Sequence, residues 1–211
     1  MSAVDSVVIS CAGIGSRLGL PKTKALIDIY GKTLIAWQLE MLKDIGDIRI
    51  VIGYQANDVV KEVLKYRSDV IFIYNHSYFE SKTGYSFYLG GRHGGEYVME
   101  LDGDLLVHPF DMNKLLNLNG EYIAFSDKMS EDGVFVKLNN NKEVISFSDT
   151  DGDFEWTGPA VLKKEKLVNS SGHVYNMIEP HLPMKGIKIR ACDIDTYEDY
   201  KKALDFIKEW R

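Results

Sequence analysis

The residues with the clearest chemical potential stand between positions 12 and 24. Ala12-Gly13-Ile14-Gly15-Ser16-Arg17-Leu18-Gly19 follows directly on the apolar run Val7-Val8-Ile9-Ser10-Cys11, and Lys22 and Lys24 come just after. Phosphate oxygens need donors at short range. Gly13 and Gly15 let backbone N–H groups close in, while the Ser16 hydroxyl and the Arg17 guanidinium add charge-assisted bonds. A lysine in the same loop can neutralise charge that grows on a leaving pyrophosphate. A plain strand-to-helix turn would need the glycines but not the strand end, Ser-Arg and lysine that accompany them. Two other phosphate loops do not fit. The P-loop pattern G-x-x-x-x-G-K-[ST] is absent. The dinucleotide fingerprint would need glycine where Leu18 stands, and the second strand ends Gly53-Tyr54-Gln55 without the acidic residue that holds a ribose.

A second set of chemical groups is acidic: Asp102-Gly103-Asp104 and Asp193-Ile194-Asp195. Residues two apart on a strand share a face, so Asp102 and Asp104 are expected to point the same way at the carboxyl edge of a sheet, where open α/β folds bind ligands. Mg²⁺ prefers oxygen ligands, takes one or two protein carboxylates and completes its sphere with phosphate and water. Acidic residues at strand ends also serve as ordinary turn formers. The five histidines, His76, His93, His108, His173 and His181, have no metal-like spacing, and no Ser-His-Asp or Cys-His set is found.

The elements that must position these groups alternate. Val7–Cys11 reads as a buried first strand, Ile48–Gly53 and Val70–Tyr74 as a second and a third strand, and a fourth strand lies within Tyr97–Leu106. Helical spacing appears around Leu34–Leu42 and Val59–Leu64, and a helix opens near Gly84–Leu89. Such alternation predicts a parallel sheet with helices on both faces. The second half changes character: Tyr122–Phe125, Val134–Leu138 and Val144–Phe147 are short strands split by turns, which predicts an antiparallel extension. Ile187–Ile194 reads as a last strand and Tyr197–Trp210 as an amphipathic helix. Residues 1–211 form one domain on this reading. With 45% hydrophobic and 27% charged residues, the chain has material for a real core. A net charge of −6 argues against a nucleic-acid partner, which would need a cationic footprint. Cys11 and Cys192 sit in apolar strands and are expected as buried free thiols. No signal peptide is evident and no apolar run reaches membrane-spanning length, so a cytoplasmic protein without a membrane partner is expected.

These motifs together resemble the sugar-phosphate and phosphocholine nucleotidyltransferase superfamily. Its signature runs strand, A-A-G-x-G-S-R-x-G, P-K-x-L, short strand, G-K-x-L-I. The chain offers Cys11–Gly19, Lys24-Ala25-Leu26 and Gly31-Lys32-Thr33-Leu34-Ile35, then Tyr74-Asn75 with Tyr78, Thr83-Gly84 with Ser86, Asp102-Gly103-Asp104 and Asp193–Thr196. Length and the Tyr-Asn…Ser segment are most similar to small cytidylyltransferases that act on phosphocholine or phosphoglutamine and serve the decoration of surface glycans. The resemblance implies an α/β, Rossmann-like, mixed and mostly parallel sheet of the nucleotide-diphospho-sugar transferase type. It implies Mg²⁺ as cofactor, CTP and a small phosphorylated acceptor as substrates, and in-line displacement at the α-phosphorus. It assigns Arg17 and Lys24 to catalysis and Asp104 and Asp195 to the metal, with Asp102 beside them. Ala12, Gly13, Gly15 and Ser16 join Asp102 on the nucleotide. Gln55, Thr83 and Ser86 carry amide or hydroxyl groups suited to a pyrimidine edge. Glu155 and Trp156 lie where relatives have a substrate-facing strand and turn, and an aromatic face with a carboxylate suits an ammonium group; Tyr85, Phe87 and Tyr88 are further aromatics for that role.

The chain departs from the signature in two places. Thr23 replaces the proline before Lys24, and Pro21-Lys22 stands two places early, so Lys22 competes with Lys24 for the catalytic role. No late E-K-P lysine stands near Phe147-Ser148-Asp149. A sugar-1-phosphate nucleotidyltransferase using CTP, UTP or dTTP is the alternative within the class. A nicotinamide-dependent oxidoreductase and a catalytically dead nucleotide sensor are the alternatives outside it. Oligomeric state stays open.

Overall fold

The apolar run after the N-terminus forms β1 (Ser6–Cys11), the strand from which the site is built. Its side chains alternate between two cores, as strand geometry requires. Val7, Ile9 and Cys11 face one apolar cluster, and Val8 faces the other. The computed structural model describes residues 3–15, 19, 22–129 and 133–210. Ser16, Arg17 and Leu18 lie outside the described residues.

After β1 the chain makes a small hairpin, β2 (Asp28–Ile29) and β3 (Lys32–Thr33), then α1 (Leu34–Met41), β4 (Ile48–Ile52), α2 (Ala56–Val63), β5 (Val70–Tyr74), α3 (Thr83–Gly91) and β6 (Tyr97–Asp102). β4 and β6 flank β1 in parallel, and β5 lies outside β4. There follow β7 (Leu105–Val107), α4 (Pro109–Leu116), β8 (Tyr122–Phe125), β9 (Phe135–Leu138), β10 (Glu143–Ser148), β11 (Phe154–Glu155), β12 (Ala160–Lys163), α5 (Val174–Ile178), β13 (Met184–Lys188), β14 (Ala191–Asp193) and α6 (Tyr197–Lys208). The central sheet has ten strands in the order β11-β9-β10-β13-β8-β12-β6-β1-β4-β5. β12, β10 and β11 run against the rest, so the sheet is mixed and mostly parallel. Residues of α1, α2 and α4 pack on one face and residues of α3 and α5 on the other. α6 covers a third apolar cluster around Ile29, Leu106 and Ile194, and starts with a capping box between Thr196 and Asp199.

Two expected strands are each broken in two. The run Tyr97–Leu106 stops at Asp102. The Gly103 N–H donates to Ser10 O (3.0 Å), the chain turns, and β7 leaves the central sheet to pair with β14. A Cβ at position 103 would lie 2.7 Å from Ser10 O, so only glycine allows this approach. Asp102 and Asp104 therefore do not share one strand face. The run Ile187–Ile194 is divided at Ile189–Arg190, where the Arg190 N–H and Nε both donate to Asp111 Oδ2 (3.0 and 2.8 Å) and draw the chain from one sheet to the other. Cys11 and Cys192 are buried free thiols. Among the described residues, no helix is long and apolar enough to cross a membrane.

Candidate active site

β1, β4, β5 and β6 all end at one edge, and the glycine loop leaves β1 there. The loop borders a cleft of about 200 Å³ lined by Ser10, Gly13, Gly15, Lys24, Gly103 and Asp104, among others. Gly15 adopts φ +68°, and a Cβ there would stand 2.9 Å from Lys24 Cγ. The loop therefore needs glycine both for its dihedral and for the passage of the lysine side chain.

Lys24 opens a short 3₁₀ turn, Lys24–Leu26, that anchors Ala25 and Leu26 in the core. Its Nζ donates to Asp104 Oδ2 (2.7 Å) and to Asp195 Oδ1. Residues 80 and 171 positions away in sequence thus converge on one ammonium. The two aspartates are tied through the backbone as well, because the Ile194 N–H donates to Asp104 O (3.2 Å). Lys22, by contrast, is exposed.

The electrostatics favour a cation here. Burial works against the charge on Lys24, but Asp104 and Asp195 outweigh it and hold the ammonium well above the ordinary lysine range. Burial first, then Asp104, pushes Asp102 up to about 7. Burial, then Asp104 and Asp195, pushes Asp193 well up too. Glu100, fully buried in β6, is driven up by burial and then by Asp102. Neither Glu100 oxygen meets an N–H donor among the described residues. Two carboxyls so placed repel as anions and attract when one holds a proton. Cys11 is held as neutral thiol chiefly by its burial.

The sign of the resulting pH dependence is fixed. The unfolded chain releases the Asp102 proton at about pH 4, whereas the folded protein keeps it toward about pH 7, so the stability this group contributes falls as pH rises across that window; Glu100, pushed up by burial and by Asp102, acts in the same direction. Urea midpoints measured with chelator at about pH 5 and about pH 7.5 are expected to differ less in Asp102→Asn than in the wild type. An equal slope in both proteins would show that no proton is held there.

The donor set suits Mg²⁺. Asp104 and Asp195 already share one cationic centre, and two carboxylates with phosphate and water complete the preferred octahedron. Among the described residues, no group of three or more His, Cys, Asp or Glu side chains is arranged to hold a metal ion.

Ala12, Gln55, Thr83, Ser86, Glu155 and Trp156 are not among the described residues that line this cleft. Ala12 is buried, and its carbonyl accepts from Tyr54 N (3.0 Å). Gln55 caps α2 in a left-handed conformation, φ +51°, and its Oε1 accepts from Thr23 N (2.8 Å). That oxygen braces the loop just before Lys24. Ser86 is buried, and its Oγ accepts from Asn75 Nδ2 (3.1 Å). Thr83 Oγ1 accepts from Val174 N (3.3 Å). These hydroxyls tie the start of α3 to the end of β5 and to α5. Glu155 is buried in β11, where its Oε2 accepts from Met129 N (2.6 Å). Trp156 packs edge-on against Phe147, with centroids 5.5 Å apart, and Tyr175 lies 5.7 Å from the same ring. Phe87 is wholly buried in the core, so of the three further aromatics only the stacked pair Tyr85 and Tyr88 keeps partial exposure. The sequence reading passed over Ser10, Gln38 and Glu100. The signal for the last two was a polar residue inside an otherwise apolar helix or strand.

Residues 7–133 match the MobA-like NTP transferase domain, which covers more than half of the chain. Over 237 aligned positions the chain is 25% identical to the choline-phosphate cytidylyltransferase of Streptococcus pneumoniae, covering 95% of this chain and 97% of that protein. The fold is that of the solved CTP:phosphocholine cytidylyltransferase from Streptococcus pneumoniae (TM-score 0.81, 23% identity, 96% of this chain and 98% of that one). It is also that of the inositol-1-phosphate CTP transferase from T. maritima (TM-score 0.82, 18% identity, 99% and 98%). With its Rossmann-like sheet and its glycine loop at the strand ends, the chain belongs to the MobA-like NTP transferase domain family and is a nucleotidyltransferase.

Proposed function

We propose that the 211 residues act as one CTP-dependent cytidylyltransferase domain. It joins CMP to a small phosphorylated acceptor, phosphocholine or a compound of similar charge and size, and releases pyrophosphate. The observation that carries this reading is the meeting of Lys24 with Asp104 and Asp195 beside the glycine loop. The choice of CTP is supported by the two relatives named above, a cytidylyltransferase and a CTP transferase, both of which match along nearly their whole length.

The acceptor's phosphate oxygen attacks the α-phosphorus in line. The new O–P bond forms as the bond from the α-phosphorus to the pyrophosphate oxygen breaks, and the leaving electron pair departs with pyrophosphate. The nucleophile is already an anion, so no general base is required, and catalysis rests on position and electrostatics. Backbone N–H groups of the loop around Ala12, Gly13 and Gly15 cradle the phosphates, joined by Ser16 and Arg17 on the sequence reading. Lys24 and Arg17 offset charge on the leaving group. When bound between Asp104 and Asp195, Mg²⁺ would supply further charge neutralisation at the α-phosphate and pyrophosphate oxygens. Gln55 holds the loop to α2, so that Lys24 enters the cleft at a fixed height. On the acceptor side Trp156 offers an aromatic face, and Glu155 a carboxylate that also fixes the Met129 backbone.

Pyrophosphate release should be measured with Mg²⁺ across CTP, UTP, dTTP and ATP, each against phosphocholine, phosphoglutamine, inositol-1-phosphate and glucose-1-phosphate. CTP with a small non-sugar phosphate is expected to be fastest. Faster turnover of glucose-1-phosphate with UTP or dTTP would transfer the assignment to the sugar-nucleotide branch. No pyrophosphate from any pair would end it.

A further inference from the structure

α1 is apolar along its length except for Gln38 and Glu40, and Gln38 is wholly buried. A buried amide costs stability unless its groups are bonded. Here the bonding is one-sided. Nε2 donates to Asp102 O (2.7 Å) and to Leu105 O (2.8 Å), while Oε1 finds no partner among the described residues. An aliphatic side chain of the same length would fill the core without that unsatisfied oxygen. The two carbonyls that Gln38 does reach are the pair that brackets Gly103-Asp104. The other fixings of this turn are the Gly103 N–H to Ser10 O and Asp104 O from Ile194 N. Gln38 is therefore the one side chain among the described residues whose hydrogen bonds clamp both flanks of the turn that carries Asp104.

We propose that Gln38 is a positioning residue: it sets where the Asp104 carboxylate stands relative to Asp195, and through that spacing how tightly the pair holds a divalent cation. The proposal rests on the reading of Asp104 and Asp195 as the metal-binding pair. Gln38 touches neither the cleft nor the reacting atoms. It acts through the backbone of Asp102 and Leu105, as outer hydrogen-bond partners commonly tune metal sites.

The test is Mn²⁺ binding to the nucleotide-free protein, read by electron paramagnetic resonance, alongside thermal melting. Gln38→Met keeps the volume and removes both donors. It is expected to melt cooperatively and to bind Mn²⁺ about tenfold more weakly than the wild type. In turnover the Mg²⁺ concentration for half-maximal rate should rise by a similar factor, with the acceptor KM unchanged. A lower melting temperature with unaltered Mn²⁺ affinity would mark Gln38 as a purely structural tie and overturn the proposal. Gln38→Asn, which keeps an amide on a shorter arm, carries the same comparison if Gln38→Met does not fold. Asp104→Asn run in parallel separates the two layers of the argument. If it weakens Mn²⁺ binding and Gln38→Met does not, the positioning role alone fails. If Asp104→Asn binds Mn²⁺ as the wild type does, or if neither the wild type nor Lys24→Met, which removes the ammonium between the two carboxylates, binds any, the metal assignment fails and takes this proposal with it.

Discussion

Asp104→Asn is expected to lower kcat/KM for nucleotidyl transfer about 10³-fold while leaving the folded protein close to wild type in melting temperature. The estimate follows from two magnitudes: a metal clamp on a transferring phosphoryl group is worth several kcal/mol, and about 1.4 kcal/mol corresponds to one decade in rate. Asparagine keeps the shape of the side chain but removes the anionic oxygens that a hard divalent cation prefers. The fold should survive for local reasons. The turn is fixed through the backbone of residues 102 to 105 and not through the Asp104 carboxylate. Lys24 also keeps Asp195, so its ammonium is not left buried without a counter-charge. Initial rates of pyrophosphate release at CTP and acceptor concentrations below their KM measure the loss, and circular dichroism with melting measures the fold. Turnover within about threefold of wild type, less than half a decade on the same scale, would reject the carboxylate pair as the place where metal acts.

Asp104 also shows where sequence reading succeeds and where it stops. The parallel half of the sheet is legible because its strands are written as apolar runs: Val-Val-Ile in β1, buried on both faces, Ile-Arg-Ile-Val-Ile in β4, interrupted only by Arg49, and Val-Ile-Phe-Ile-Tyr in β5, an edge strand that leaves Ile71 and Tyr74 exposed. The glycine loop is legible because its dihedral and packing demands admit few other residues. The breaks after Asp102 and at Arg190 are not legible. Apolar residues continue past both, and the chain turns only because of partners far away in sequence, Ser10 for Gly103 and Asp111 for Arg190. The same limit bears on the local site reading. Strand periodicity puts Asp102 and Asp104 on one face, and the tertiary hydrogen bond from Gly103 to Ser10 interrupts that strand. Gln55 carries an amide suited to a base edge, and in the fold its Oε1 accepts from the Thr23 backbone, a tie that the local sequence does not announce. Lys22 and Lys24 could not be separated by local pattern, since the Pro-Lys pair points to one and the spacing to the other. In the fold Asp104 and Asp195 come to Lys24, while Lys22 is exposed. β12 and α5 were passed over because each is short and lies in a region rich in turn residues.

Lys24→Met is expected to lower turnover by about 10² to 10³, the range for removing one preorganised charge-stabilising group. It is also expected to make the protein respond more strongly to divalent metal. The second effect arises from where the ammonium stands. In the nucleotide-free fold Lys24 lies between Asp104 and Asp195, at the position a cation would share. A metal held by this pair, as proposed above, would therefore compete with the ammonium for the same oxygens. Methionine keeps the length of the side chain and removes the competitor. It also leaves two carboxylates facing one another, with Asp102 and Asp193 close behind, and both of these already titrate above their usual range. The metal-free variant should therefore melt below the wild type. Added Mg²⁺ should raise its melting temperature by more than it raises that of the wild type, because a ligand that binds only the folded state stabilises in proportion to its affinity. Melting curves across a Mg²⁺ series, with and without chelator, read this directly. Equal Mg²⁺ shifts in the two proteins would show that the ammonium and the metal do not compete, and that Lys24 stands beside the cation site and not within it.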